Sequence, residues 1–243
     1  MDPEGELTQI PGSTRPLSTT TSQTCQPPVV DLGDRDAQCS DAGPTTIGFN
    51  PSGSVLVVTE RLTSRIDTWT IGDDGLATST GSFQQPVNST PFGFAFADRG
   101  RLVVADAFLD LSGLAATSSF LLSDLGVLTD KTITLGNGNA AACWTVITND
   151  GRFAFITEPV SRSISSYAIQ PDGSLILVNA NAALLPGGDP RDQHLSANGR
   201  FLFILNNRAG TISSFRVQDN GELKLLSLYA GTVPSGSAGL AAR

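Results

Sequence analysis

The stretch SANGRFLFILNNRAGTISSFRVQDNGEL, residues 196–223, decides how the chain folds. An Asn-Gly turn (Asn198-Gly199) opens an apolar run, Phe201 to Leu205, and a polar turn leads into Ile212 to Val217, where apolar and polar side chains alternate. A second Asn-Gly turn (Asn220-Gly221) then introduces Leu223. Short strand patterns joined by such turns read as antiparallel hairpins. The unit recurs along the chain: the first turns carry Gly53, Gly100, Gly151 and Gly199, spaced 47, 51 and 48 residues apart, and the second carry Gly75, Gly126, Gly173 and Gly221, spaced 51, 47 and 48. Within each repeat the two glycines are 22, 26, 22 and 22 residues apart, so the second repeat holds a four-residue insertion near Leu109 to Gly113.

Each repeat reads as four strands. An inner strand precedes the first glycine (Ile47 to Asn50, Phe92 to Ala97, Trp144 to Thr148, Gln193 to Ser196), and an apolar strand follows it (Val55 to Thr59, Leu102 to Ala105, Phe153 to Thr157, Phe201 to Leu205). The alternating third strand is clearest in Ile164 to Ile169 and Ile212 to Val217, and the fourth opens at Leu76, Val127, Leu175 or Leu223. Four short antiparallel strands in a period near 48 residues, without helices, are the pattern of a β-propeller blade. A sandwich does not explain the regular period. The expectation is an all-β chain forming one partial propeller domain over residues 1–243, with blades at about 42–88, 89–138, 139–187 and 188–233. An outer strand precedes these blades, an inner strand at Ser235 to Ala242 follows them, and residues 18–41 form an inserted loop.

Fifteen Lys and Arg against 23 Asp and Glu leave a formal charge of −8, and the basic residues are scattered, which argues against a nucleic-acid partner. No window reaches the run of about 18 apolar residues that would read as a membrane span. Met1-Asp2-Pro3-Glu4 shows no signal-peptide pattern. Cys25 and Cys39 lie 14 residues apart; a bridge between them leaves an extracytoplasmic parent open, and two free thiols are the alternative. Cys143 reads as a small buried residue, and the cysteines form no zinc pattern. Asp31, Asp34, Asp36 and Asp41 read as a solvated loop rather than a calcium site. Neither a metal nor a cofactor is expected. Trp69, Phe120, Tyr167 and Phe215 recur at one third-strand position, which marks them as blade core.

Propellers take ligands at the mouth of the central channel, where inner strands begin and second strands end. The repeat places Pro44, Pro91, Ala142 and Pro190 there, each followed by a pair: Thr45-Thr46, Phe92-Gly93, Cys143-Trp144 and Arg191-Asp192. Seven residues after each first glycine come Glu60, Ala107, Glu158 and Asn206. His194, the single histidine, falls level with Gly48, Ala95 and Val146, at a position expected to be crowded.

The runs NPSGSVLVVTE with RIDTWTIGDDG, TNDGRFAFITE with SISSYAIQPDGSL, and the stretch quoted first resemble blades of the lactonase-type seven-bladed propellers, the group of the 6-phosphogluconolactonases and fungal carboxymuconate lactonizing enzymes. Seven such repeats need about 340 residues, so the resemblance implies that two to three N-terminal blades are missing; a compact closed ring is the alternative. The resemblance also implies a site built from a Pro-Arg-His opening of an inner strand and a glutamate at the end of another strand. Pro190-Arg191 matches, whereas Asp192 stands in place of the histidine. On this pattern Arg191 holds an anionic substrate and Glu60 or Glu158 is the base that activates water. His194 is a further acid–base candidate, with a structural histidine as the other reading. Alternatively, Arg191 pairs with Asp189 or Asp192 and ties blades together. The expected function is lactonase-like, forming or hydrolysing a lactone of a carboxylated or phosphorylated small molecule; the alternative is a non-catalytic binding scaffold, and a protein partner is not identifiable.

Overall fold

The computed structural model describes residues 8–18, 42–86, 89–231, 233–234 and 236–242. Cys25, Cys39 and the aspartates Asp31, Asp34, Asp36 and Asp41 lie outside them, as does nearly all of the expected 18–41 loop. Among the described residues, sixteen strands form four antiparallel sheets of four. Blade 1 comprises β1 (Pro44–Phe49), β2 (Val55–Glu60), β3 (Arg65–Thr70) and β4 (Ser82–Gln84). Blade 2 comprises β5 (Pro91–Phe96), β6 (Arg101–Asp106), β7 (Ala116–Leu122) and β8 (Leu128–Gly136). Blade 3 holds β9 (Thr145–Ile147), β10 (Phe153–Glu158), β11 (Ser163–Ile169) and β12 (Leu175–Leu184). Blade 4 holds β13 (Pro190–Leu195), β14 (Phe201–Asn206), β15 (Thr211–Val217) and β16 (Leu223–Ala230). Within each sheet the strands lie in chain order, as hairpin connections require. The insertion in the second repeat is a short helical turn, Phe108–Asp110.

Side chains alternate across a strand, so each blade presents one face to the blade before it and the other to the blade after it. Val55, Val57 and Ile66 of blade 1 pack with Leu102, Val104 and Phe120 of blade 2. Val103 and Ala105 then meet Ala154, Ile156 and Tyr167 of blade 3, and Phe155 and Ile164 meet Leu202, Ile204 and Phe215 of blade 4. Trp69, Phe120, Tyr167 and Phe215 are all buried, as the repeat implied. Fully burying a side chain of this kind is worth about 1.5–3 kcal/mol, so the three junctions, and not any one sheet, are where the fold is held. Consecutive inner strands touch, which gathers them on one side of the array. Among the described residues no substantial contact joins blade 4 back to blade 1, so the blades form an open run and not a compact closed ring.

Two strand ends differ from expectation. The fourth strand of blade 1 begins at Ser82, not at Leu76. Only the isolated Ile71–Ala77 bridge forms there, because Gly81 passes beneath the Trp69 indole and the Arg15 guanidinium takes the carbonyls of Ala77 and Thr78. Residues 236–242 form no strand; they are held on blade 4 through Ser237 and Leu240.

Candidate active site

The inner strands open and the second strands finish at the same end of the blades, hereafter the mouth. Three inner strands start on a proline and break register directly after it, between Pro44 and Thr46, Pro91 and Phe94, and Pro190 and Asp192. A proline tolerates the first strand position because it needs no ladder donor there, and the bulge that follows places an extra residue out of the ladder and re-aims its side chain. Thr45 and Arg191 are those bulged residues in blades 1 and 4.

Arg191 is thereby turned to the mouth, half-buried, with its Nε donating to both Asp189 oxygens at 3.1 and 3.0 Å. The pairing with Asp189 foreseen as an alternative is therefore present. Asp192 points elsewhere: it accepts from its neighbour's Gln193 N–H at 2.8 Å and from the Leu240 N–H at 2.6 Å. His194 does pair level with the other blades, opposite Phe203 as Gly48 is opposite Val57, yet it is exposed rather than crowded. It lies on the face of blade 4 turned away from blade 3, its Nδ1 2.6 Å from the Leu195 carbonyl.

The last residue of each second strand forms a repeated buried cluster. Strand pairing puts Glu60 opposite Pro44, Asp106 opposite Pro91 and Asn206 opposite Pro190. Asp106, and not Ala107, is thus the blade 2 counterpart of Glu60 and Glu158. The turn Asp98–Gly100 is a tight helical turn closed by Ala97 N–H on the Arg101 carbonyl, and it leaves one residue fewer before the strand. A glycine comb alone cannot see that shortening.

Glu158 accepts from Ser163 Oγ (2.7 Å), Ser165 Oγ (2.5 Å), Asn137 Nδ2 (2.5 Å) and Asn139 Nδ2 (2.9 Å), so its partners come both from its own third strand and from the segment linking blade 2 to blade 3. Asp106 accepts from Ser89 Oγ (2.7 Å) and Ser118 Oγ (2.5 Å). Asn206 donates to Thr211 Oγ1 (3.1 Å) and Ser213 Oγ (2.9 Å). Glu60 accepts from the Ser18 N–H (2.9 Å), the Ser18 hydroxyl and Thr63 Oγ1 (2.5 Å). Ser18, the first residue of the expected inserted loop, hence does for blade 1 what the Ser89 and Asn137 linkers do for later blades.

Burial pushes the Glu158 carboxyl up to about 7 and that of Asp106 up to about 6, against the pull of their hydrogen bonds. Burial also acts upward on Glu60, but the neighbouring Asp67 carboxyl, with the hydrogen bonds from Ser18 and Thr63, outweighs it and holds that carboxyl below its ordinary value. Asp67 pays the difference: burial first, then the adjacent Glu60 carboxylate, drive it up to about 9. It occupies the position that is Ser118, Ser165 or Ser213 in the other blades.

No hydrogen bond or ion pair joins any two of Arg191, Glu158, Glu60 and His194 among the described residues. The mouth also holds groups the sequence did not single out. Phe92 and Trp144 meet edge to face with centroids 5.4 Å apart, and the Arg61 guanidinium sits 5.9 Å above the Phe92 ring. Arg61 follows Glu60 directly, and that adjacency was its available signal. Cys143 is buried. No group of three or more His, Cys, Asp and Glu residues among those described is placed to hold a metal ion.

Four-stranded blades docked face to face, with inner strands opening at a shared mouth, define a run of β-propeller blades. Residues 123–237 match the family described as Lactonase, 7-bladed β-propeller. Among solved structures, the chain is similar to a protein from Lactobacillus plantarum (TM-score 0.63, 20% identity, covering 77% of this chain and 57% of that one). It is likewise similar to a candidate 6-phosphogluconolactonase from Bacteroides uniformis (TM-score 0.66, 18% identity, 79% and 56%) and to the periplasmic gluconolactonase of Pseudomonas aeruginosa (TM-score 0.62, 20% identity, 79% and 55%). The chain therefore spans little more than half the length of these structures. No curated protein sequence matches it significantly.

Proposed function

We propose that this chain supplies part of the wall of a lactonase-like site, in which an anionic lactone, or the open acid it interconverts with, is held at the mouth. The observation that carries the reading is the β13 bulge: it lifts Arg191 out of the ladder at the opening of an inner strand, while Asp189 fixes the guanidinium's direction. A guanidinium so oriented suits the carboxylate or phosphate of a small substrate, because it offers planar paired donors. Arg61 adds a second cation to the same mouth, and the Phe92–Trp144 pair gives a sugar or lactone ring an apolar surface.

Ring opening needs a base to take a proton from the attacking water and a donor for the carbonyl oxygen as it gains charge. Glu158, with its carboxyl near 7, titrates where a general base works best. Its four donors hold it buried, so water reaches it only when the Asn137 and Asn139 amides yield. Glu60 is the ionised alternative on blade 1, and His194 the remaining acid–base group. A second reading has its own support: Glu60, Asp106 and Glu158 are engaged between blades as structural acceptors, which suits a non-catalytic scaffold.

The test is hydrolysis of 6-phosphogluconolactone and of simple γ- and δ-lactones by the chain and by a version extended with further blades. Arg191→Ala and Arg191→Lys should each lower kcat/KM about a hundredfold for anionic lactones and leave neutral lactones less affected. Glu158→Gln should lower kcat at unchanged KM. Turnover no faster than in buffer for both proteins moves the assignment to the scaffold reading, and activity indifferent to both positions displaces the site from blades 3 and 4.

A further inference from the structure

The turns that join second to third strands stand at the mouth, and their tips are apolar in three of the four blades. The residue two past the end of the second strand is Leu62, Phe108, Val160 or Arg208. Blade 2 enlarges this rim: residues 107–115 make its turn, where the shorter 61–64, 159–162 and 207–210 serve in the others, and the added length brings out Leu109, Leu111 and Leu114. These three, with Leu62 and Val160, are between 42% and 58% exposed. The turns at the opposite end are built largely of Asp, Asn, Ser and Gly, Leu125 apart. The rim tips project from the ends of the blades and not from the faces on which blades stack, so their exposure does not depend on what flanks blade 1 or blade 4. Single exposed aliphatic residues are ordinary, whereas a group of them around a ligand-binding end marks a contact surface.

The backbone of blade 2 is bent to present this group. Phe108, Leu109 and Asp110 run left-handed, with φ of 49°, 55° and 63°, a conformation that residues other than glycine resist. The linker before β5 fixes it: Thr90 accepts the Ala107 N–H on its carbonyl at 3.1 Å and the Leu109 N–H on its Oγ1 at 3.0 Å, while the Ser89 carbonyl accepts the Phe108 N–H at 3.0 Å. Leu109 gains no burial from that arrangement, so its placement serves something outside the fold. The same segments carry the aromatic pair of the mouth. Phe92 lies two residues after Thr90, and Leu62 follows Arg61, whose guanidinium covers the Phe92 ring. Ser161, beside Val160, accepts the Ala140 N–H at 2.8 Å, four residues before Trp144. Apolar groups thus stand both where the inner strands open and at the turn tips outside them.

Resting on the lactonase-like reading, we infer that the mouth takes an amphiphilic anion: a lactone, or its open acid, whose charged head is held by Arg191 and Arg61 and whose unbranched alkyl chain passes over Phe92 and Trp144 to the rim of Leu62, Leu109, Leu111 and Val160. A sugar-derived lactone engages the charge and the aromatic surface and leaves the rim in water. An alkyl chain covers it, and every methylene taken out of water adds to binding.

Calorimetric titration of the full chain with the straight-chain carboxylates from butyrate to decanoate, each below its micellar concentration, tests this. Each added methylene should tighten binding about twofold, half of the roughly fourfold that complete burial would give. Leu109→Asp with Leu111→Asp should flatten the series at an unchanged thermal midpoint, and Leu109→Met with Leu111→Met should keep it. Arg191→Ala should weaken every member by a similar factor and leave the gain per methylene intact. A flat series in the wild type, with butyrate bound and still weakened by Arg191→Ala, overturns the alkyl track and leaves the lactonase-like reading standing. The same gain per methylene with 1-alkanols, indifferent to Arg191, upholds the rim and overturns the anionic head. A gain that survives Leu109→Asp with Leu111→Asp overturns the rim assignment. Retention on phosphatidylglycerol vesicles that these variants abolish, without any gain along the soluble series, overturns the small-molecule occupant in favour of a lipid surface. Failure to bind any of the acids overturns both readings.

Discussion

Replacing Asp67 by serine should stabilise the protein, because three of the four blades already carry serine at that position. Ser118, Ser165 and Ser213 each bond the last residue of the second strand, at 2.5, 2.5 and 2.9 Å. In blade 1 a carboxyl takes that place beside Glu60, fully buried, and neither of its oxygens reaches a hydrogen-bond partner of regular geometry. A buried polar group left in that condition costs about 1–3 kcal/mol, and a hydroxyl donated to the ionised Glu60 is worth about 1.5–3 kcal/mol. The volume lost with the smaller side chain takes back about 1 kcal/mol. The net expectation for Asp67→Ser near pH 7 is about 2 kcal/mol of added stability, a rise in thermal midpoint of about 4–8 °C for a chain of this size. The pH dependence adds a signature. Asp67 titrates near 9 in the folded chain and near 3.8 unfolded, so the folded state keeps the extra proton between these values. Stability owed to that proton is complete below about pH 4 and is lost as pH rises toward 9. The variant escapes this loss, so its advantage should widen from pH 5 to pH 9 in thermal or guanidinium unfolding. A variant less stable than wild type at pH 7, with the same pH profile, would refute both the hydroxyl-equivalence and the carboxyl-pair reasoning.

Asp106 and Glu158 are also raised, to about 6 and about 7; by the same sign the protein should lose stability between about pH 4.5 and pH 7, and Asp106→Asn should flatten that part of the profile in melts at pH 5 and 8. Gly93→Ala should destabilise by about 2–3 kcal/mol, since its N–H already bonds the Cys143 carbonyl across the junction at 2.8 Å and a methyl group would run into that carbonyl; an unchanged melting point would show that blades 2 and 3 can shift apart without cost. Thr68→Val should cost about 1 kcal/mol through loss of the 2.6 Å bond from its hydroxyl to the Gly126 carbonyl, checked by denaturant midpoint at constant slope.

The blade order was legible because hairpin glycines and apolar alternation are local signals, and each falls within one repeat. What escaped the reading involves two repeats at once. Glu60 and Glu158 look in sequence like side chains aimed into a channel; the structure turns them into the junctions, because a strand's faces are set by which neighbouring blade packs there. Their partners Ser18, Asn137 and Asn139, and Ser89, which bonds Asp106, lie in linkers with no repeat spacing, so no comb of glycines points to them. Asp106 was displaced by one residue for a related reason: the turn before it was shortened, and only strand pairing restores the count.

The bulge at Arg191 separates the two kinds of mouth residue. A side chain within the ladder must face one junction or the other, and burial there raises a carboxyl or demands hydroxyl partners. A bulged residue is released from that alternation, so its side chain can turn to the mouth without opening a junction. Arg191 is in that position; Thr45, bulged in the same way, instead sets its hydroxyl 2.9 Å from that of Thr59 and within reach of the Pro91 and Phe92 carbonyls of blade 2. On the lactonase-like reading, contacts to an anionic substrate at this end should therefore come from Arg191 and Arg61, while Asp106, bonded to Ser89 of the linker from blade 1 and to Ser118, keeps blades 1 and 2 in register. Substituting Asp106, the second-strand carboxylate that the proposed reaction does not use, should then move stability first and activity through it, whereas substituting Arg191 should move activity at constant melting temperature. Arg191→Ala with a lowered melting point and unaltered lactone turnover would reverse that division of roles.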